Sequence, residues 1–560
     1  MRATFRTWIL GVAAATLLAP AAGLAANVVI VNGDGPGEGF NDPTFAAPVG
    51  GNAGTTVGQQ RLIAFQRAAD IWGAKLDSAV TVEILARFDP LSCTATSAVL
   101  GSAGTLTASR DFLRAPLGGT WYHAALANKI AGEDLEPGTP DLRARFNSNI
   151  GTPGCLETSG WYYGLDASEP TGRIDLVAVL LHEFAHGLGF AAFTSVSTGQ
   201  KLLGHDDVYS RYYYDYLLGQ VRNDMTNPER VFSAVNTGSV VWNGEQVTAG
   251  VPAALGARPS FMVKEPAGLA DSYPVGTAAF GPALTEAGVS GQVALGLPAN
   301  PSSSSTLGCG PMTSAVAGKI ALVDRGSCTF VTKAANAQAA GAVALVVANN
   351  TAGLIGLGGS GPITIPAVMI TQDLGARVKA ALPGVVAKVG LDPTLRAGAR
   401  DGYALLYAPN PVQPGSSISH FDVSAFPNQL MEPAINADLT HSVDVVFPAG
   451  QRADLTRPLL WDVGWYPDAD LDGAPDAVDA CPGTDGAATV WVNGIDTGVR
   501  DRADGAGCPF SQRLAGSCGG IANPGEWSSC VTRLTNAFVK NRWMYANEQA
   551  AIDSAAARTN

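Results

Sequence analysis

The sequence predicts an exported α+β protein of several domains, and three observations carry that prediction. A helical repeat of apolar residues at 58–76 is followed by an alternating strand pattern at 80–88, as in an α+β domain. Between about 265 and 400, charged residues become rare and Ala, Gly and Val dominate. The chain has 560 residues, enough for roughly three or four domains. We therefore expect the residues from about 265 to 400 to form a domain of their own, with an α/β pattern, before the composition becomes mixed again after about 401.

The N-terminus carries the features of a secretory leader. Arg2 and Arg6 precede an apolar run that ends in small residues, and cleavage is expected near Ala25 or Ala26. Removing residues 1–26 takes away two arginines and no acidic residue, so the mature chain is more acidic than the full one. We therefore expect a protein that is secreted or periplasmic, where disulfide bonds form.

Composition excludes several classes of function. Hydrophobic residues make up 46% and charged residues 15%, which favours a folded chain over a disordered one. Asp and Glu number 48 against 35 Lys and Arg, and this acidic balance argues against nucleic-acid binding. No segment after the leader has about 18 uninterrupted apolar residues, so we expect no membrane span.

An apolar helix is predicted in the stretch DLVAVLLHEFAHGLG, which begins at Asp175. Asp175 is a good N-cap because its carboxylate can accept a hydrogen bond from a free N–H of the first turn. Gly187 and Gly189 are expected to end the helix. The apolar flanks predict a buried helix, on which polar side chains need partners.

His182 and His186 lie four residues apart, so their imidazoles project from one face of this helix and can reach one metal ion. Glu183 completes the pattern H-E-x-x-H. Zinc lowers the pKa of a water molecule that it binds to about 7, and a glutamate at this position can take the proton. The pattern therefore predicts a catalytic Zn²⁺ ion with Glu183 as the general base.

Zinc needs a third protein ligand, and Ala192 occupies the position of the histidine in the short form of this pattern. The later candidates are His205, His420 and His441. We favour His420, which is followed eleven residues later by Met431. His205 or an aspartate beside it is the main alternative, because it needs no large insertion. Glu265 is a further alternative ligand.

The stretch HEFAHGLGF, followed by a later histidine and a methionine, resembles the metzincin metallopeptidases. The long gap before His420 is similar to that of leishmanolysin-type members, in which an inserted segment separates the glycine from the third histidine. The resemblance implies that Gly189 turns the chain sharply beneath the metal and that Met431 forms an apolar floor under the ligands. Pro433 stands where some metzincins have a tyrosine ligand, so that ligand does not carry over.

The stretch from 317 to 350 reads as a strand, a tight turn, a helix and a second strand. Its sequence IALVDRGSCTF and the turn before ALVVAN resemble the protease-associated (PA) domain. The resemblance implies a substrate-handling or lid module without catalytic residues of its own. A folded spacer with no binding role is the other interpretation.

The stretch DADLDGAPDAVDACP places carboxylates two residues apart, which suits a hard cation, and Gly473 permits the sharp turn that such a loop needs. It resembles a thrombospondin type 3 repeat, which implies a structural Ca²⁺ ion. The candidate ligands are Asp468, Asp470, Asp472, Asp476 and Asp479. A solvated acidic linker is the alternative.

Eight cysteines in an exported chain predict disulfide bonds. Closeness in sequence favours Cys93–Cys155 and Cys309–Cys328. Two further bridges are expected among Cys481, Cys508, Cys518 and Cys530. The stretch NEQAAIDSAAART predicts a closing helix in the tail.

These features predict a secreted, monomeric, zinc-dependent metalloendopeptidase that acts on polypeptides. The rival is an exported binding protein with a structural or degenerate metal site, in which the PA module does the work. Glu183 argues against the rival, since a structural site does not need it. The expected divisions are a signal peptide (1–26), a catalytic domain in two parts (27–264 and 401–466), an inserted PA domain (265–400), a calcium repeat (467–484) and a cysteine-containing tail (485–560).

Overall fold

The computed structural model describes residues 25–300, 305–436, 438–446, 452–484 and 488–558. The expected leader lies outside these residues, apart from Ala25 and Ala26. Within the described residues, no helix has the length and apolar character needed to cross a bilayer. The eight cysteines form four disulfides, and each half-cystine pairs with its neighbour in sequence: Cys93–Cys155, Cys309–Cys328, Cys481–Cys508 and Cys518–Cys530.

The elements before residue 256 build the first part of the interrupted domain. The strands are β1 (Val28–Asn32), β2 (Val82–Asp89), β3 (Gly101–Thr105), β4 (Ala108–Ser109), β5 (Thr120–His123), β6 (Leu142–Asn147), β7 (Trp161–Tyr162), β8 (Ile174–Asp175), β9 (Asp206–Asp207), β10 (Tyr213–Asp215), β11 (Gln220–Val221) and β12 (Val240–Trp242). The helices are α1 (Val57–Gly73), α2 (Ala124–Ala131), α3 (Leu176–Leu188), α4 (Asn227–Ser233) and α5 (Glu245–Ala254).

A four-stranded sheet in the order β1-β2-β6-β3 supports helices α1 and α3. The first three strands of this order are parallel, and β3 joins β6 in the antiparallel sense at the edge. Helix α1 begins after Thr56, whose hydroxyl accepts a hydrogen bond from the Gln59 amide. The Trp72 indole nitrogen donates to the Leu181 carbonyl at 3.2 Å and joins α1 to α3. The expected helix and strand of this region are therefore present.

The inserted unit is built around one eight-stranded sheet. Its elements are β13 (Ala257–Glu265), β14 (Asp271–Pro274), β15 (Gly276–Thr277), β16 (Val289–Leu295), β17 (Ile320–Asp324), α6 (Phe330–Ala339), β18 (Ala344–Ala348), β19 (Ala367–Ile370), α7 (Gln372–Ala381) and β20 (Val386–Arg396). The strand order is β14-β13-β20-β16-β17-β18-β19-β15. Alternate residues of β17 and β18 enter two separate hydrophobic clusters, so these apolar strands are buried on both faces.

The insert starts and ends earlier than the boundaries of 265 and 400 that the sequence predicts. Strand β13 pairs with β20 from the register Ala257 with Arg396, so both strands belong to the inserted sheet. The next strands, β21 (Ala399–Arg400) and β22 (Tyr403–Leu405), join β12 in a five-stranded sheet of the first domain. Composition places the start of the insert too late, because β13 contains charged residues and resembles the sequence before it. Its pairing with β20 shows that it belongs to the inserted sheet.

The C-terminal part returns to the first domain and then adds a small unit. Helix α8 (Thr456–Val463) packs on α5 and α3. The tail holds a hairpin and three helices: β23 (Thr489–Val492), β24 (Ile495–Arg500), α9 (Phe510–Cys518), α10 (Pro524–Lys540) and α11 (Ala546–Ala557). The tail has its own hydrophobic cluster and docks through Arg542, which pairs with Asp206 and Asp224.

Candidate metal centre

Helix α3 carries the H-E-x-x-H residues through the interior of the first domain. Asp175 caps it as expected, with Oδ1 accepting from the Ala178 amide at 3.1 Å. Gly189 ends the helix at φ +134°, a conformation that side chains with a Cβ rarely adopt. Gly187 does not end the helix, contrary to the sequence-based expectation. A Cβ there would lie 2.5 Å from Leu142 Cδ1, so Gly187 permits close packing of α3 on β6.

Three histidines converge at the middle of this helix. His182 and His186 approach each other with their Nε2 atoms 3.2 Å apart. His420, which follows the insert in the chain, brings its Nε2 to 3.3 Å from that of His182. One ligand atom from each of the three lies within 4.8 Å of the others. The structure therefore brings together the three residues that the sequence nominates as zinc ligands.

The opposite ring nitrogens fix the orientation of all three imidazoles. The Nδ1 atoms of His182, His186 and His420 lie 2.8, 2.9 and 2.8 Å from the carbonyl oxygens of Leu430, Phe190 and Ser416. A carbonyl oxygen can only accept, so each Nδ1 carries the proton and donates it. In the neutral rings each Nε2 therefore has a free lone pair, and the three lone pairs face one another.

This donor set fits a zinc ion. Three facing lone pairs repel one another unless a cation lies between them, and imidazole nitrogen is a preferred zinc ligand. Zinc–nitrogen distances of about 2.0–2.1 Å in a tetrahedral site place two ligand atoms about 3.3–3.4 Å apart. The observed Nε2 separations of 3.2 and 3.3 Å match that spacing. Burial lowers the pKa of His182 to about 3 and that of His186 to about 4, which favours the neutral form that binds metals.

Glu183 lies against the edge strand β3. Its side chain is 8% exposed, and burial raises the pKa of its carboxyl to about 8, while a hydrogen bond from the Ala103 amide opposes the rise. A Cβ on Gly101 would lie 2.9 Å from Glu183 Cγ, so this glycine gives the carboxylate its space. The sequence does not predict strand β3, because its residues GSAGT are small and have low strand propensity.

The segment after His420 contacts the histidine cluster through its backbone. Met431 is fully buried, and the carbonyl before it, that of Leu430, accepts the proton of His182 Nδ1. The Met431 carbonyl in turn accepts from the Phe421 amide at 2.8 Å, which closes the segment 421–431 into a loop. The methionine therefore lies in a loop that touches two of the three histidines through the backbone.

The other nominated ligands lie elsewhere. The ring of His205 lies edge-on to that of Trp121, with the ring centroids 6.4 Å apart. Glu265 is exposed at the end of β13. His441 is buried and donates to Asp175 Oδ2 at 2.8 Å, so it secures the start of helix α3 instead of binding the cluster. Sequence reasoning missed this pair, because nothing in the sequence links residues that are so far apart.

Three of the five nominated aspartates also form a group. Carboxylate oxygens of Asp468, Asp470 and Asp472 lie within 4.8 Å of one another. Burial, together with the neighbouring carboxylates, raises the pKa of Asp468 to about 6 and that of Asp472 to about 7. Asp476 and Asp479 accept hydrogen bonds from the amides of Ala469 and Cys481. The first three aspartates thus form the compact part of the cluster.

Comparisons with known proteins concern part of the chain. Signal peptide peptidase-like 2 of Arabidopsis thaliana is 41% identical over 76 residues, which cover 13% of this chain and 14% of that protein. Signal peptide peptidase-like 4 of Oryza sativa subsp. japonica is 42% identical over 72 residues, which cover 12% and 13%. The chain thus spans about one seventh of the length of these curated relatives.

Solved structures overlap with about a quarter of the chain. An aminopeptidase from Aneurinibacillus sp. strain AM-1 is 24% identical and covers 25% of this chain and 31% of its own, with a TM-score of 0.19. The family model described as PA domain matches residues 289–378, from the start of β16 into α7. Residues 289–378 of this chain therefore form a PA domain.

Proposed function

We propose that this protein is a secreted, zinc-dependent metalloendopeptidase with His182, His186 and His420 as the zinc ligands and Glu183 as the general base. The observation that carries the proposal is the convergence of three Nε2 atoms whose opposite nitrogens all donate to backbone carbonyls. Backbone partners of this kind orient metal-binding histidines and raise the basicity of the ligating nitrogen. The four disulfides support export, since such bonds persist in oxidising compartments.

Glu183 supplies the proton chemistry of the proposed reaction. A zinc ion at the three histidines would acidify an attacking water molecule and polarise the scissile carbonyl. Glu183 takes a proton from that water and later delivers it to the leaving amine. Burial raises the pKa of its carboxyl to about 8, and a cation at the histidines would lower it again, so that the carboxylate form that a general base needs is present at neutral pH.

The free edge of strand β3 offers a binding site for an extended polypeptide. Among the residues that the structure describes, β3 is the outer strand of its sheet and pairs there with β6 alone, while its Ala103 amide donates to Glu183. A substrate segment added along the other edge would gain backbone hydrogen bonds without regard to its side chains. Gly101 on this strand adjoins Glu183, so the bound peptide would pass the base. This arrangement favours polypeptides over small esters or phosphates as substrates.

Removal of the metal tests the proposed function directly. We expect the purified protein to cleave casein, to lose this activity in 1,10-phenanthroline, and to regain it when zinc is added back, because the histidines alone cannot activate water. Magnesium, a cation that prefers oxygen ligands, should not restore it. Casein cleavage that persists after zinc has been removed to below one tenth of an equivalent would contradict a zinc mechanism.

We further propose that Asp468, Asp470 and Asp472 bind a structural Ca²⁺ ion, with Asp476 and Asp479 supporting the loop. We expect calcium to protect 468–482 from limited proteolysis when zinc is held constant, since the ion offsets carboxylate repulsion. Asp472→Asn should weaken this protection, whereas Asp496→Asn, in the hairpin of the tail, should not. Identical digestion patterns with and without calcium would remove the ion from the proposal.

A further inference from the structure

The loop that connects the third histidine to the methionine, residues 420–431, is the ligand loop. It supplies His420 at one end, and at the other end its Leu430 carbonyl holds His182 in the orientation in which Nε2 faces the cluster. The ends are joined by the Phe421 amide, which donates to the Met431 carbonyl at 2.8 Å. A shift in the middle of this loop would therefore move the backbone that carries His420 and the carbonyl that orients His182.

The insert touches the middle of the ligand loop through its base, which consists of Gly256, Ala397 and Gly398. The Gly256 amide donates to the Phe426 carbonyl at 2.7 Å. The Ala397 amide donates to the Gly256 carbonyl at 3.0 Å and closes the base where the chain enters and leaves the insert. The two ends of the inserted sheet are thus tied to each other and to the ligand loop.

Gly398 makes the closest approach. Its φ is +74°, and a Cβ at this position would lie 2.5 Å from Ala425 Cα and 2.8 Å from the Ala425 nitrogen. These are backbone atoms, so they cannot move aside as a flexible side chain could. Ala425 is buried, whereas its loop neighbours Val423 and Phe426 are more than half exposed, so the contact with Gly398 lies on the inner side of the ligand loop.

The chain that leaves the insert then pairs with the beginning of the ligand loop. After β22, the Tyr407 amide donates to the His420 carbonyl at 2.9 Å, and the Asp422 amide donates to the Leu405 carbonyl at 2.9 Å. The base of the insert therefore contacts the loop at its middle, and β22, the second strand after the insert, holds the start of the loop together with the residues that follow it.

We propose that the base of the inserted domain positions the zinc ligands, with Gly398 as a positioning residue that acts through Ala425 on His420 and on the Leu430 carbonyl. The inference rests on the proposed function, because it takes the three histidines as zinc ligands. The insert therefore helps to hold the metal-binding histidines in place, in addition to any role in handling substrate. By linkage, zinc binding must in turn stabilise the attachment of the insert.

A pair of glycine substitutions separates close approach from backbone strain. Gly398→Ala and Gly402→Ala both place a side chain at positive φ, and they lie four residues apart, but a Cβ at 402 would meet nothing within 4 Å. We expect Gly398→Ala to raise the zinc Kd by about 10–100-fold, the effect typical of lost support around a metal ligand. Gly402→Ala should keep the Kd within about threefold of the wild type. The Kd is measured by competition with a chromophoric chelator.

A second measurement uses the wild type, so it does not depend on how the variants fold. Zinc loading should slow hydrogen exchange at the Gly256 amide, which donates to Phe426, but not at the Gly318 amide, which donates to Gly341 inside the insert. Equal zinc affinities in the two glycine variants, or unchanged exchange at Gly256, would overturn the positioning role. Failure of the wild type to bind zinc at all would instead reject the proposed function, so the two failures are distinguishable.

Discussion

Glu183→Ala should keep the fold and the zinc ion but lower kcat for casein hydrolysis by about 10²–10⁴-fold. This is the range that a positioned general base contributes, and without Glu183 the attacking water has no buried group to take its proton. Because the side chain is almost fully enclosed beside Gly101, no other carboxylate can take its place without a shift of β3. The zinc content is measured on the same preparation by elemental analysis.

The matched control is Glu265→Ala, which removes the alternative ligand that the sequence allows. Glu265 is exposed at the end of β13, so its loss should leave both kcat and zinc content unchanged. Full activity in a zinc-loaded Glu183→Ala protein would reject the proposed base. It would also revive the interpretation in which the metal site is structural and the PA domain carries the function.

His420→Ala should weaken zinc binding by more than the roughly 10–100-fold that loss of an outer hydrogen bond costs, because a direct ligand is removed. The two remaining imidazoles stay in place on α3, but a zinc site with two protein ligands lacks the three that catalytic sites use. Activity should fall with zinc occupancy and recover in part at high zinc concentration.

His205→Ala provides the control for this substitution, since His205 lies beside Trp121 and outside the histidine cluster. Its zinc affinity and kcat should match those of the wild type. Loss of zinc in His205→Ala, with normal affinity in His420→Ala, would mean that the ligand set is wrong. Titration with zinc, followed by competition with a chelator of known affinity, measures both proteins on one scale.

Local features of the candidate site follow from the sequence. The spacing of His182 and His186, the apolar flanks and the cap at Asp175 all depend on one helix, and helical periodicity is the most reliable signal in a sequence. The exception is Gly187, which lies inside the helix and does not end it. A glycine is needed there because Leu142 on β6 leaves no room for a side chain. That contact joins residues that are distant in the chain, so local patterns do not reveal it.

Long-range features required the structure. His420 could be nominated from its methionine partner, but its approach to His182 depends on two ends of the insert that meet at Gly256 and Ala397. The bounds of the insert and the edge strand β3 were missed for the same reason, because pairing with distant strands decides both. Disulfide pairing was partly accessible, since each cysteine bonds to an adjacent cysteine along the chain, but closeness alone fails in the tail, where Cys508 bonds to Cys481 and not to the nearer Cys518.

The roles of His441 and the insert base also lie beyond local sequence patterns. His441 is a reasonable zinc ligand by composition alone, yet it donates to Asp175 and stabilises the start of α3. Gly398 resembles many other loop glycines, and only its distance from Ala425 distinguishes it from Gly402. Physical constraints of this kind become visible when the backbone of both partners is known.

X-ray absorption at the zinc edge of the purified, zinc-loaded protein tests the central claim most directly. We expect one zinc ion per chain with three imidazole nitrogens at about 2.0–2.1 Å, and two imidazoles in the His420→Ala variant. A sulfur ligand, a site with fewer than three imidazoles in the wild type, or an unchanged spectrum in His420→Ala would contradict the assignment of His182, His186 and His420 as the metal centre.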